Sequence, residues 1–256
     1  MTDTTTDTLT GGAPSPVLTD QVGHTFSITL NRPERLNAID DGLVDALSAA
    51  LDDAADSGAR VVVLRGAGRA FCSGHDLKVP LDQGDTGATR RRLARLQGVT
   101  QQIDALDQPV VAVVHGWAVG AGAEIALNCD LIVAEATARF RFPEVSVGLS
   151  MTNGLSHLLA SVAGPQRTKR ILFLKETVTA TDLHRWGLVS HLAEAGDLHL
   201  QAAAVTETLA GLPASALASA KHLLNAGLGS DLTSSLEREL LTAMTVDPGE
   251  YGGALR

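Results

Sequence analysis

The stretch Pro109-Val110-Val111-Ala112-Val113-Val114-His115-Gly116-Trp117-Ala118-Val119-Gly120-Ala121-Gly122-Ala123-Glu124-Ile125-Ala126-Leu127-Asn128-Cys129-Asp130-Leu131-Ile132-Val133-Ala134 decides the fold. It is apolar for most of its length and long enough to cross a bilayer as a single helix. His115, Glu124, Asn128 and Asp130 interrupt it, and glycines stand at 116, 120 and 122. A lipid-embedded helix would bear the cost of every one of those ionisable and amide groups, so the membrane reading fails. The alternative is strand, glycine turn, short helix, strand. Val110 to Val114 is the first strand, residues 116–122 the turn, and residues 131–133 the second strand.

Upstream of this stretch, residues 26–30 alternate as a strand and Asn31-Arg32-Pro33 turns the chain. Asp40 caps a helix that runs to about Asp56, with Leu43, Leu47 and Leu51 on one face. Residues 61–64 are a buried strand, 66–74 a glycine-rich loop, and 90–106 a helix that Pro109 brings to an end. Downstream come a short strand near 138–140 and a loop through Glu144. Helical patterns follow at 154–163, 166–174, 180–186, 196–209, 214–228 and 232–245. Strands early and helices late indicate an α/β chain with a helical C-terminal region.

Composition narrows the function classes. A chain of 256 residues, at roughly 150 residues per domain, is one or two domains. Aromatics at 3% argue against a groove that stacks bases, and the net charge of −9 argues against a nucleic-acid backbone as partner. Cys72 and Cys129 make neither a disulfide scaffold nor a metal site and read as small core residues. No signal-peptide pattern opens the chain, which makes a cytoplasmic location the expectation. Residues 1–16, mostly Thr, Asp, Gly, Ser and Pro, read as a disordered tail.

Several catalytic motifs are absent: no HExxH, GxSxG or P-loop occurs, and the eight histidines lack ligand-like spacing, so no metal site is expected. Gly66-Ala67-Gly68 after a strand imitates a dinucleotide turn, but its third glycine would fall at Phe71. The Arg90-Arg91-Arg92-Arg95 run reads as a solvated helix face. Two carboxylates stand out. Glu124 lies inside the apolar stretch and Glu144 follows Phe142-Pro143, also in apolar surroundings. Carboxylates held there gain proton affinity and suit acid–base work. Backbone N–H groups near Gly74 and residues 120–122 suit the binding of an oxygen that becomes negative during a reaction.

The segments Leu30-Asn31-Arg32-Pro33-Glu34-Arg35-Leu36-Asn37-Ala38, Val61-Val62-Val63-Leu64-Arg65-Gly66-Ala67-Gly68-Arg69-Ala70-Phe71-Cys72-Ser73-Gly74-His75-Asp76-Leu77 and His115-Gly116-Trp117-Ala118-Val119-Gly120-Ala121-Gly122-Ala123-Glu124 occur in this order. Asn128-Cys129-Asp130-Leu131 and Phe140-Arg141-Phe142-Pro143-Glu144 follow. Together they resemble the enoyl-CoA hydratase/isomerase (crotonase) superfamily from about Val17 to Gly252. The resemblance implies a crotonase-like spiral of ββα units over 17–195. It also implies a helical region over 196–256 that builds homotrimers, often paired into hexamers. An acyl-CoA thioester is the implied substrate, with no cofactor beyond the CoA it carries.

By motif position, His75 and Ala121 supply the two oxyanion N–H groups. Arg35, Leu36, Ala38, Ser73, Asp76, Leu77, Lys78 and Gly120 border the substrate, and Glu124 and Glu144 are the catalytic pair. The expected reaction is hydration of a 2-enoyl-CoA through a stabilised enolate, Glu144 serving the α-carbon and Glu124 the water. Isomerase or other enolate chemistry (hydrolase, C–C lyase) is the alternative, and a non-catalytic acyl-CoA binding protein a remoter one. Three departures from the family pattern stand out. Ala121 replaces a usual glycine. Met151-Thr152-Asn153-Gly154 replaces a glycine-rich run, with Thr152 at the glycine whose N–H helps to hold water. The chain also stops short of a common basic ending.

Overall fold

The computed structural model describes residues 14–76, 78 and 85–245. Of the expected tail only residues 14–16 fall inside this range, and Leu77 falls outside it. Strands β1 (Val17–Val22) and β2 (Thr25–Leu30) pair antiparallel. Helix α1 (Asp41–Asp56) follows, and Asp40 caps it by accepting the Leu43 N–H at 2.9 Å. Next come β3 (Val61–Gly66), α2 (Thr86–Ala105), β4 (Val110–Val114), β5 (Trp117–Val119), α3 (Ala121–Leu127), β6 (Leu131–Glu135) and β7 (Arg139–Arg141). The remainder is α4 (Leu155–Ala163), α5 (Pro165–Phe173), β8 (Thr177–Thr179), α6 (Ala180–Arg185), β9 (His191–Ala193), α7 (Leu198–Ala210), α8 (Ala214–Gly227) and α9 (Leu232–Ala243).

Two sheets result. The larger runs β1-β2-β3-β4-β6-β9, and every pair beyond the first hairpin is parallel. Its central strands are valine-rich because both faces are covered, as parallel sheets require. Val62, Leu64, Val110, Ala112 and Val114 enter the main core. Val61, Val63, Val111, Val113 and Val133 face a smaller cluster sealed by Leu198, Ala202 and Val205 of α7. The second sheet runs β5-β7-β8, and the bridges Cys72–Ala118 and Ile39–His75 carry its line onward. The chain therefore climbs from the large sheet to the small one and back through a helix, turn after turn.

The main difference from the sequence reading lies within residues 116–122, where β5 replaces what the glycines present as a plain turn. Three residues carry little periodic signal, and the partners of β5 are remote. At Gly116 (φ +58°) the chain passes so close to Arg69 that a Cβ would lie 2.2 Å from its carbonyl oxygen. Helix α2 also starts four residues before the expected Arg90, capped by Asp85. Its first turn, Thr86-Gly87-Ala88-Thr89, is poor in helix formers and conceals the start.

Cys72 and Cys129 are buried and unbridged, as expected. Of the arginine run, Arg92 and Arg95 pair with Asp41, and Arg95 also pairs with Asp45. Helix α8 is pinned by Lys221, a buried cation that the apolar pattern does not announce. Its Nζ donates to the carbonyls of Ile103 (2.8 Å) and Gln108 (3.0 Å) and pairs with Asp130 at 2.9 Å. Beyond it Leu232, Leu236, Leu240 and Leu241 of α9, and Met244 that caps it, are all exposed. No helix among the described residues is long and apolar enough to cross a membrane.

Candidate active site

Two chain segments meet where the small sheet begins. Cys72 donates to the Trp117 carbonyl at 3.1 Å, and Val119 donates back to Cys72 at 2.9 Å. Gly74 (φ +81°) then lies so close that a Cβ would meet Val119 O at 2.6 Å and Ala121 N at 3.6 Å. His75 and Ala121 are therefore brought side by side. Ile39 and Asp76 use the neighbouring polar groups in a bridge to the 39 segment. The N–H groups of His75 and Ala121 themselves have no acceptor among the described residues. The methyl of Ala121 belongs to the main core. Burial first, and the Arg92 charge second, hold the His75 imidazole below its ordinary range, while Glu124 and Asp41 act the other way.

Gly120 begins α3 with φ +52°, and here the backbone conformation and a close approach both call for glycine. A Cβ would stand 2.8 Å from Glu144 Oε1. Glu144 opens a 3-10 turn just after Pro143 and is buried, and its Oε2 has no hydrogen-bond partner among the described residues. Burial lifts its carboxyl from 4.5 to about 7. A hydrogen bond from its own backbone opposes the rise, and the Glu124 charge adds to it.

Glu124, one turn into α3, has the opposite surroundings. It is 1% exposed. Its Oε1 accepts the Thr152 N–H at 3.1 Å. Its Oε2 accepts the Thr152 hydroxyl at 2.7 Å and the Asn153 amide at 2.9 Å. Asn128 ties the two segments together, donating to the carbonyls of Glu124 and Asn153, each at 2.8 Å.

A third segment forms a wall. Asn37 is fully buried in a left-handed conformation and spreads its amide over the carbonyls of Ala67, Ala70 and Phe71 at 2.9–3.1 Å. Ser73 donates through its backbone to Leu36 and through its hydroxyl to Arg35. Arg32 donates to the Ala38 carbonyl and pairs with Asp40 (2.8 Å) and Asp76 (3.4 Å). The Lys78 N–H, followed by the charges of Arg32 and Arg35, holds Asp76 below the usual carboxylate range. Arg35, Leu36, Ala38, Ser73 and Asp76 thus share one wall, and the side chain of Lys78 is exposed at its end.

Of the sequence-derived residues, Gly120 and Glu144 meet, and so do the His75 and Ala121 segments. Asn37 and Asn153 are site-shaping residues that pattern reading did not single out, and Asn128 was noted only as a polar interruption of the apolar stretch. For Asn37 the signal available was a polar residue between Leu36 and Ala38, and Asn153 carried none. No group of three His, Cys, Asp or Glu side chains among the described residues is arranged to hold a metal. Burial pushes the Cys72 thiol up to about 12, so it is no nucleophile.

Residues 22–246 match the family model described as enoyl-CoA hydratase/isomerase. A probable enoyl-CoA hydratase of Mycobacterium tuberculosis is 34% identical over 218 residues, covering 83% of each chain. A short-chain enoyl-CoA hydratase of Clostridium acetobutylicum is 28% identical over 87% of this chain and 86% of its own. The crystal structure of an enoyl-CoA hydratase from Mycobacterium smegmatis superposes with a TM-score of 0.87 at 31% identity, covering 93% of this chain and 94% of the other.

Proposed function

Because this chain belongs to the enoyl-CoA hydratase/isomerase family, we propose that it adds water to the double bond of a 2-enoyl-CoA and catalyses the reverse reaction. The thioester oxygen sits between the N–H groups of His75 and Ala121, which stabilise the charge it gains as the enolate forms. Glu144 carries the proton exchanged at the α-carbon, and Glu124 receives one from the water that attacks the β-carbon. Arg35, Leu36, Ala38, Ser73, Asp76 and Lys78 line the CoA side, and Gly120 leaves room for Glu144. Arg35 and Lys78 supply the local positive charge that an acidic protein needs to hold phosphates.

The observation that carries this reading is a pair of buried carboxylates, one held by three donors and one with an oxygen left unpartnered, beside two unused N–H groups. Incubation with crotonyl-CoA, following loss of the conjugated-thioester absorbance, tests it. No loss of absorbance overturns it. Conversion of a 3-enoyl-CoA to the 2-enoyl isomer without hydration would establish the second reading, isomerase chemistry. What favours that second reading is that Thr152 and Asn153 already place three donors on Glu124. The exposed α9 face supports assembly into a homotrimer or hexamer, which a solution mass tests.

A further inference from the structure

Asn153 carries a buried polar atom that the reaction as described does not use. The residue is 1% exposed, and its Oδ1 has no partner among the described residues. The amide has no freedom to turn over. Its Nδ2 donates to Glu124 Oε2 at 2.9 Å, and reversal would set two acceptor oxygens against each other. The backbone is equally committed, left-handed at φ +50° with its carbonyl accepting from Asn128. Thr152 spends both of its donors, the N–H and the hydroxyl hydrogen, on Glu124. The Asn153 side chain is therefore clamped to Glu124 on its donor edge and left without a partner on its acceptor edge. Folded proteins seldom leave a buried acceptor without a donor.

The enoyl portion of the proposed substrate carries no N–H or O–H near its β-carbon. The donor available there is the water itself, or the hydroxyl it becomes. We propose that Asn153 Oδ1 accepts one hydrogen of the attacking water while Glu124 Oε1 accepts the other, so that the oxygen lone pair faces the β-carbon. This rests on the hydratase reading. As the C–O bond forms, the π pair of the Cα–Cβ double bond moves into the enolate and Glu124 takes one proton. The second hydrogen stays on the new hydroxyl, held by Asn153. Glu144 then gives its proton to the α-carbon, and exchange with solvent returns a proton to Glu144 and removes one from Glu124.

Two variants test the assignment. Asn153→Gly suits the left-handed backbone and removes both edges of the amide. Its kcat for crotonyl-CoA hydration should fall on the order of 10²-fold with KM nearly unchanged, while α-hydrogen exchange of butyryl-CoA in D₂O persists. Hydration that survives, or hydration and exchange that fall together, overturns the proposal. Asn153→Asp restores both edges only when the new carboxyl is protonated, donating to Glu124 and accepting from water. Its hydration profile should shift toward acid relative to the parent enzyme, and superimposable profiles overturn the proposal even if the glycine variant fails to fold. A parent enzyme that exchanges α-hydrogen but never hydrates brings down the hydratase reading itself, a result distinct from both.

Discussion

Glu124 and Glu144 are the same side chain in two different solvents. Three donors from Thr152 and Asn153 surround the first, in place of the water it gave up on burial. The second has lost its water and gained almost nothing, and its carboxyl rises to about 7. Loss of solvation alone favours the neutral acid, whereas solvation replaced by fixed donors keeps an acceptor available. One fold thus gives two buried carboxylates opposite surroundings, separated by the company each oxygen keeps.

The sharpest test exchanges each carboxylate for its amide. Glu144→Gln should lower both hydration and α-hydrogen exchange by about 10²–10⁴-fold, and Glu124→Gln should lower hydration by a similar factor while sparing exchange. Steady-state kinetics and deuterium incorporation measure the two activities separately. If Glu144→Gln leaves both intact, the division of labour is wrong.

Gly120→Ala disturbs only one side of the contrast. The new methyl would stand 2.8 Å from Glu144 Oε1 on a backbone of φ +52°. Displacement of that carboxyl by about 1 Å should cost on the order of 10²-fold in kcat for both reactions.

Thr152→Val disturbs the other side, stripping one donor from Glu124 while leaving the backbone N–H in place. A hydrogen bond to a charged group is worth about 1.5–3 kcal/mol. Hydration should fall by roughly 10- to 10²-fold at that magnitude, with exchange unchanged.

The smallest effect is on stability. Because the folded Glu144 carboxyl titrates near 7 rather than 4.5, the folded state binds more protons than the unfolded one between those values. Stability therefore declines as pH rises through that window, by at most about 1.4 kcal/mol per pH unit. Denaturant unfolding at pH 5 and pH 8 should show the parent losing stability that Glu144→Gln retains. Equal losses in the two proteins would mean that burial does not set the Glu144 proton affinity.

Much of this was legible beforehand. Valine runs announced β3 and β4, and leucines at helical spacing announced α1. The three-residue strands β5, β8 and β9 were not legible, since pairing with distant residues makes them strands. β1 escaped because five of its six residues are exposed at a sheet edge and show no alternation. A charge amid apolar neighbours marked Glu124 and Glu144, and both are buried. Asn153 and Lys221 are ordinary polar letters in their own surroundings. Their burial is explained only by partners 29 and as many as 118 positions away, and sequence spacing carries no trace of such contacts.

That distance gives Lys221 a consequence in time. During synthesis the chain emerges from its N-terminal end. The carbonyls of Ile103 and Gln108 and the carboxylate of Asp130 are therefore made long before the amine that joins them. Asp130 also accepts the N–H of Val110, the first residue of the strand that leads toward Ala121. The root of the site is thus closed by a helix residue made 118 positions after Ile103. A nascent chain halted before α8 should be cut by protease around residues 103–110, where the finished protein resists.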